Sequence, residues 1–265
     1  MKKNIKMLVM GLFACSAFTF SAVSCMQYFI KKGQSYEFID VDTLVLEQKN
    51  PPEKGDMTAK IKTSMGDIDV VLYPEYAPVA VENFTKLAES GYYDNTYVYE
   101  LEPGVCLKAG TPLKNGHLDD NKPEGNEEWE QETHQNLWSF RGALCSLSTS
   151  VKGGFWDRLN GNTTTYNGSR FAILNSVEFT EEFKAELYAS NEDTTIADAY
   201  VELGGVPALA QKITVFGQTY DGFDVIDKIT SAATITDGDD SHIPVEDIMI
   251  ETIEIGTYDG EETSE

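Results

Sequence analysis

Apolar and polar residues alternate twice in quick succession between residues 57 and 73. Ala59 and Ile61 share one face, and Ile68, Val70 and Leu72 share another, with Met65-Gly66 between them. A period of two predicts strands, and the short gap predicts a hairpin. The period then lengthens. Ala80, Phe84, Leu87 and Ala88 recur at helical spacing, Pro78 suits the first turn and Gly91 supplies the stop. Short strand-like runs follow near 97–101, 105–109, 143–148, 170–175 and 213–219. A second helix is predicted over Phe223 to Ile229, after the Asp221-Gly222 turn, and strand formers from Val245 to Ile255 close the pattern. Many short strands with two separate helices predict a mainly β protein, an antiparallel barrel capped by helices.

Two stretches interrupt this plan. Residues 151–168 are rich in Gly, Asn and Thr and read as an insertion. Residues 178–206 carry Phe179, Phe183 and Leu187 at helical spacing, then a second helical start at Thr195-Ile196-Ala197-Asp198 and a stop at Gly204-Gly205. This second insertion is expected to be a helical hairpin on the barrel surface.

The N-terminus follows a different logic. Lys2, Lys3 and Lys6 precede an uncharged stretch from Met7 to Ser24, the pattern of an export signal. Ala22-Val23-Ser24-Cys25 places small residues before a cysteine, as in a bacterial lipobox, so Cys25 is the expected lipidation site. Cys15 is a poorer candidate, and an uncleaved anchor or a plain signal peptide are the alternatives. Residues 1–24 are thus read as a lipoprotein signal peptide, 25–56 as a tether, 57–256 as the folded domain and 257–265 as an acidic tail. Within the tether, Thr43-Leu44-Val45-Leu46 reads as a strand added to the domain.

The formal net charge of -24 changes the list of partners. Phosphate backbones are bound by clustered Lys and Arg, so nucleic acid is excluded as a partner, as is adhesion to anionic lipid by charge alone. No spacing of Cys and His resembles a zinc site, and no cofactor is implied. Asp237-Gly238-Asp239-Asp240 lacks the full calcium-loop pattern and reads as a solvated turn. Trp129, Trp138 and Trp156 read as packing residues.

Several motifs in order resemble the cyclophilin-type peptidyl-prolyl cis-trans isomerase family. Gly66-Asp67-Ile68, Ala77-Pro78, Val81, Asn83-Phe84 and Gly91-Tyr92-Tyr93-Asp94 match its opening hairpin, helix and turn. Pro103-Gly104, then Asn167-Gly168-Ser169-Arg170-Phe171, then Thr214-Val215-Phe216-Gly217-Gln218 and Gly222-Phe223-Asp224-Val225-Ile226-Asp227-Lys228 match later motifs. The resemblance spans roughly 57–255. It implies an eight-stranded barrel with a helix at each end, and catalysis of rotation about X–Pro bonds.

That chemistry has known demands. Amide rotation is opposed by roughly 18–20 kcal/mol, and a catalyst must bind the twisted form best. The twisted proline nitrogen is basic, so a guanidinium donor beside it and an apolar pocket for the ring would serve. By the resemblance, Glu100 stands at the family's arginine position, and an ionised carboxylate cannot donate. The same alignment assigns the pocket to Val105, Cys106, Lys108, Phe171, Ala172, Ala208, Leu209 and Ile213. In it Lys108 replaces a glutamine, Ala172 an aromatic floor, Ala208 a tryptophan and Ile213 a histidine. Arg170 then has two readings: a substitute donor from the opposite wall, or a partner of Glu100 in a filled pocket, where Lys108 is the other candidate partner. Cys106 and Cys145 have two as well, a disulfide or two buried small side chains.

The expectation is therefore a family prolyl isomerase assisting the folding of exported proteins at the cell membrane, its activity in doubt because the pocket is substituted. The alternative is a non-catalytic cyclophilin-like module that binds peptides or envelope proteins. Expected partners are proline-containing peptides or exported proteins, with the membrane reached through the lipid anchor.

Overall fold

The computed structural model describes residues 39, 41–154, 163–189, 193–236 and 241–260. The expected signal segment, Cys15, Cys25, Trp156 and the Asp237–Asp240 turn lie outside these residues.

The two alternating runs form the strands β1 (Met57–Thr63) and β2 (Gly66–Leu72), an antiparallel hairpin with Ile61 opposite Ile68. The helical run forms α1 (Pro78–Glu89), burying Ala80, Val81, Phe84, Leu87 and Ala88. The chain continues through β3 (Thr96–Tyr97), β4 (Glu100–Glu102), β5 (Cys106–Ala109), β6 (Trp129–Glu130), β7 (Ala143–Lys152) and β8 (Thr164–Leu174). It then forms α2 (Glu181–Ala189), α3 (Thr195–Leu203), β9 (Thr214–Asp221) and α4 (Phe223–Thr230). A short ribbon of β10 (Thr234–Thr236) and β11 (His242–Pro244) precedes β12 (Met249–Thr257).

The main sheet is antiparallel and runs β3-β12-β1-β2-β9-β7-β8-β5-β4, with β6 paired to the outer part of β8. Its two ends, β3 and β4, are consecutive in sequence, so one bent strand joins both edges of the curled sheet. Counted that way, and with β6 as an addition, eight strands make the expected barrel. Curling a sheet until its edges meet removes the unpaired donors that would invite aggregation.

The interior is packed by Ile61, Ile68, Val70, Phe84, Tyr93, Leu101, Leu107, Phe171, Phe216 and Ile226, among others. Phe84 comes from α1 and meets Tyr93, Phe171 and Phe216 at ring-centroid distances of 5.4, 5.6 and 5.3 Å. One helix thereby clamps three segments distant in sequence.

Four boundaries differ from the sequence reading. The insertion at 151–168 is shorter, because Val151–Lys152 and Thr164–Gly168 continue β7 and β8. The β-branched threonines there favour extended backbone. Residues 43–46 are not an added strand. Turns of 3-10 helix at Val41–Thr43 and Glu47–Lys49 flank an extended link. Part of the expected tether is docked: Gln48 is buried, and Leu44 and Leu46 pack beside Trp138 and Tyr200. The tail also starts later, since Tyr258 N–H donates to the Asp56 carbonyl and its ring meets Tyr220 at 5.6 Å. The helical hairpin is present as α2 and α3.

Replacing Phe84 with Ala should cost about 3–5 kcal/mol, since three aromatic neighbours cannot all collapse into the space. Urea denaturation of the variant checks this, and a loss below 1 kcal/mol would contradict the clamp.

Candidate functional site

Alternation along the outer face of the barrel builds the candidate site. On β8, Ser169 and Phe171 point inward, so Arg170 and Ala172 face out. Phe171 is therefore not a pocket residue, contrary to the sequence reading: it is buried against Phe84 and Tyr93. Ala172 is the outer residue. It lies between Lys108 of β5 and Cys145 of β7 in the strand register.

The β4–β5 hairpin turns at Pro103-Gly104, where Gly104 has a φ of 71°, a value L side chains rarely adopt. Its register sets Glu100 opposite Lys108. Glu102 falls on the same face one step along. Lys108 Nζ donates to Glu100 Oε1 at 2.6 Å and to Glu102 Oε1 at 3.3 Å. The three side chains are 17%, 20% and 13% exposed, in the order Lys108, Glu100, Glu102. Burial alone would lower the Lys108 pKa, but the Cys106 sulfur and the two carboxylates outweigh it and hold it above its ordinary value. His242 on β11 brings Nδ1 to 4.0 Å from the other oxygen of Glu102. Sequence reasoning missed Glu102 and His242. The two-residue spacing of Glu100 and Glu102 on one strand was the available signal for the first.

Arg170 does not pair with Glu100. It gives Nη1 to the Gly116 carbonyl at 3.3 Å and Nη2 to the Ser148 carbonyl at 3.0 Å. Its Nε is buried without a partner among the described residues. Tyr99 lies beside it, and burial pushes the Tyr99 hydroxyl up to about 12, with the Arg170 and Lys108 charges pulling the other way.

The apolar half of the site is a second cluster. Cys106 and Cys145 are buried with Leu137, Leu174, Val206 and Val215, and Val105, Leu209 and Ile213 pack against them. Ala208 is half-buried on the same loop as Leu209. Of the expected pocket residues, Val105, Cys106, Leu209 and Ile213 share this cluster, and Lys108 and Ala172 adjoin it in the strand register. Cys106 and Cys145 are not disulfide-bonded. Strand β8 runs between β5 and β7, so their backbones are separated by two interstrand spacings, about 9.5 Å, beyond the roughly 7 Å limit for a disulfide.

Trp129 is spent on packing: with Asn83, Ser146 and Phe171 it lines a small space inside the barrel, beneath α1. Trp138 is fully buried.

A curled antiparallel barrel with two capping helices is the cyclophilin-like fold, and here its outer face carries one apolar and one charged half. Residues 58–255 match the family model described as cyclophilin type peptidyl-prolyl cis-trans isomerase/CLD. A Staphylococcus aureus protein named "Putative peptidyl-prolyl cis-trans isomerase" is 32% identical over 203 residues, covering 77% of this chain and 93% of that one. A Streptococcus pyogenes protein named "Putative bifunctional phosphatase/peptidyl-prolyl cis-trans isomerase" is 37% identical over 197 residues, which are 74% of this chain but 38% of that longer one. A crystal structure of a Cryptosporidium parvum cyclophilin type peptidyl-prolyl cis-trans isomerase overlays with a TM-score of 0.54 at 22% identity, covering 77% of this chain and 99% of that one. The chain belongs to the cyclophilin-type peptidyl-prolyl cis-trans isomerase family.

The pKa directions fix how this site responds to base. Tyr99 has a folded value of about 12 against roughly 10 unfolded. Its contribution to stability is complete below pH 10 and lost as pH rises through 12. Lys108 is raised too, so its contribution has the same sign. Stability measured by urea denaturation should fall between pH 10 and 12, and Tyr99→Phe should remove on the order of 2 kcal/mol of that fall, so the slope over the window flattens. An unchanged slope in Tyr99→Phe would refute the assignment.

Proposed function

We infer that the chain is an exported, lipid-anchored cyclophilin whose outer patch holds proline-containing segments of exported proteins and turns them over slowly. The basic stretch, the uncharged run and Cys25 support the export and the anchor. Two acyl chains on such a cysteine would hold the domain far better than one. The ammonium of Lys108, clamped between Glu100 and Glu102, supports the slow turnover. A twisted imide nitrogen needs a donor aimed at it. Here two of the three ammonium N–H bonds are directed at carboxylates, and position 100 carries an acceptor. The apolar half offers Val105, Leu209 and Ile213 as a wall for a proline ring, so binding depends less on the absent donor than rate acceleration does.

A second reading rests on Arg170, which has no carboxylate partner among the described residues and a buried Nε without an acceptor. In that reading its remaining N–H groups replace the missing donor.

A peptide isomerisation assay on the exported chain separates the two. Under slow turnover, the double variant Glu100→Arg with Lys108→Gln should raise kcat/KM by about a hundredfold, the usual worth of one well-placed donor. A parent chain already as fast as the double variant, with activity abolished in Arg170→Ala, would replace the first reading with the second.

A further inference from the structure

The segment before β1 lies outside the span that matches the family, yet it carries one of the most completely satisfied polar side chains in the molecule. Gln48 is 7% exposed. Its Oε1 accepts from the Trp138 N–H at 2.6 Å, and its Nε2 donates to the Trp138 carbonyl and to Gln218 Oε1, both at 2.8 Å. Gln218 of β9 passes the chain on, donating through Nε2 to the Arg141 carbonyl at 2.8 Å. A side-chain amide that pairs with both main-chain groups of one residue fixes that residue as a neighbouring strand would. The arm around it is held by further contacts. Val45 N–H donates to Asn136 Oδ1, Tyr76 donates to Glu47, and Leu44 and Leu46 pack beside Trp138, Tyr200 and Ala210.

The stretch fixed by Gln48 in turn holds the loop that walls the functional patch. Val206 N–H donates to the Ser139 carbonyl, and Ser139 Oγ donates back to the Val206 carbonyl, both at 2.8 Å. Gln211 Nε2 donates to the carbonyls of His134 and Leu137. Gln211 itself sits at a φ of 54°, a left-handed conformation that persists only where surroundings impose it. On this one loop Ala210 faces the arm, while Leu209 and Ile213 face Cys106 and Cys145. The path from Gln48 to the patch therefore has three steps, each a named hydrogen bond or apolar contact.

We propose that Gln48 is a positioning residue and that residues 41–50 form a strap setting the 206–213 wall of the proline patch. Docking of the strap and occupation of the patch then favour the same loop conformation and strengthen each other. The link to peptide binding rests on the reading given above; the link from strap to loop does not.

The test is amide hydrogen exchange on the full chain carrying Gln48→Ala, with Lys49→Ala as control, since among the described residues the Lys49 side chain makes only the exposed pair with Glu202. Gln48→Ala should speed exchange about tenfold or more at Trp138 and at Val206, Leu209 and Lys212, while β1 and β2 keep their protection. It should also weaken a proline tetrapeptide by a similar factor. Lys49→Ala should change neither. Faster exchange at Trp138 with unchanged protection over 206–212 would overturn the proposal. If the parent binds no tetrapeptide, the binding reading fails, while exchange at the loop still decides the strap. Should Gln48→Ala fold poorly, Asn136→Ala releases the Val45 main chain and a side-chain contact to Tyr76, leaves the Gln48–Trp138 pairing in place, and should give a smaller change of the same pattern; no change at the loop would overturn the proposal equally.

Discussion

In a closed sheet every strand must serve two packings at once. Each inward residue of β8 is committed to the interior against α1, and each outward one is available for function. Ser169, Phe171 and Ile173 belong to the first set, and Arg170, Ala172 and Leu174 to the second. The interior allows little drift, because Phe171 meets Phe84 and Tyr93 within a single aromatic cluster and any change of volume is felt at once. Drift on the outer face leaves that core untouched. A barrel of this kind can keep its family while its working surface is rebuilt.

The rebuilding is coordinated across strands. A lone carboxylate at position 100 on a half-buried outer face would be costly. Lys108 directly across the hairpin supplies its counter-ion, and Glu102 joins on the same face of β4. Ala172 sits between Lys108 and Cys145 in the register, and Cys145 belongs to an apolar cluster with Cys106, Leu174 and Val215. The charged residues of the outer face thus answer one another across the hairpin, with Lys108 held by both Glu100 and Glu102.

This division explains what the sequence discloses. The barrel strands, both capping helices and the helical hairpin follow from period and punctuation, because those signals report the interior. The expected pocket positions come through the family motifs. Phe171 was misread as a wall because two adjacent residues of one motif face opposite sides of a strand, and motif spelling carries no side. Glu100 with Lys108 was legible as one of two pairings, but the register that selects Lys108 over Arg170 is a property of the hairpin turn. That residues 43–46 join the domain was legible, but the way the arm docks was not. Leu44-Val45-Leu46 reads as a strand, and a glutamine in a polar stretch reads as solvated until its two acceptors and one donor are seen.

That last failure is instructive about where added segments acquire roles. Gln48 is followed by Asn50-Pro51-Pro52, a sequence that resists regular structure, so the arm cannot dock by extending the sheet or a helix. It has to satisfy its buried polar groups through a side chain. An amide is suited to this, since it offers donor and acceptor together and matches the paired N–H and C=O of one extended residue. Because the acceptor chain runs on through Gln218 into β9, the arm is coupled to the barrel as well as to the loop. On the proposed coupling, the wall of the patch is specified from outside the span that matches the family model, and a change in the arm would alter the patch without touching any residue that lines it.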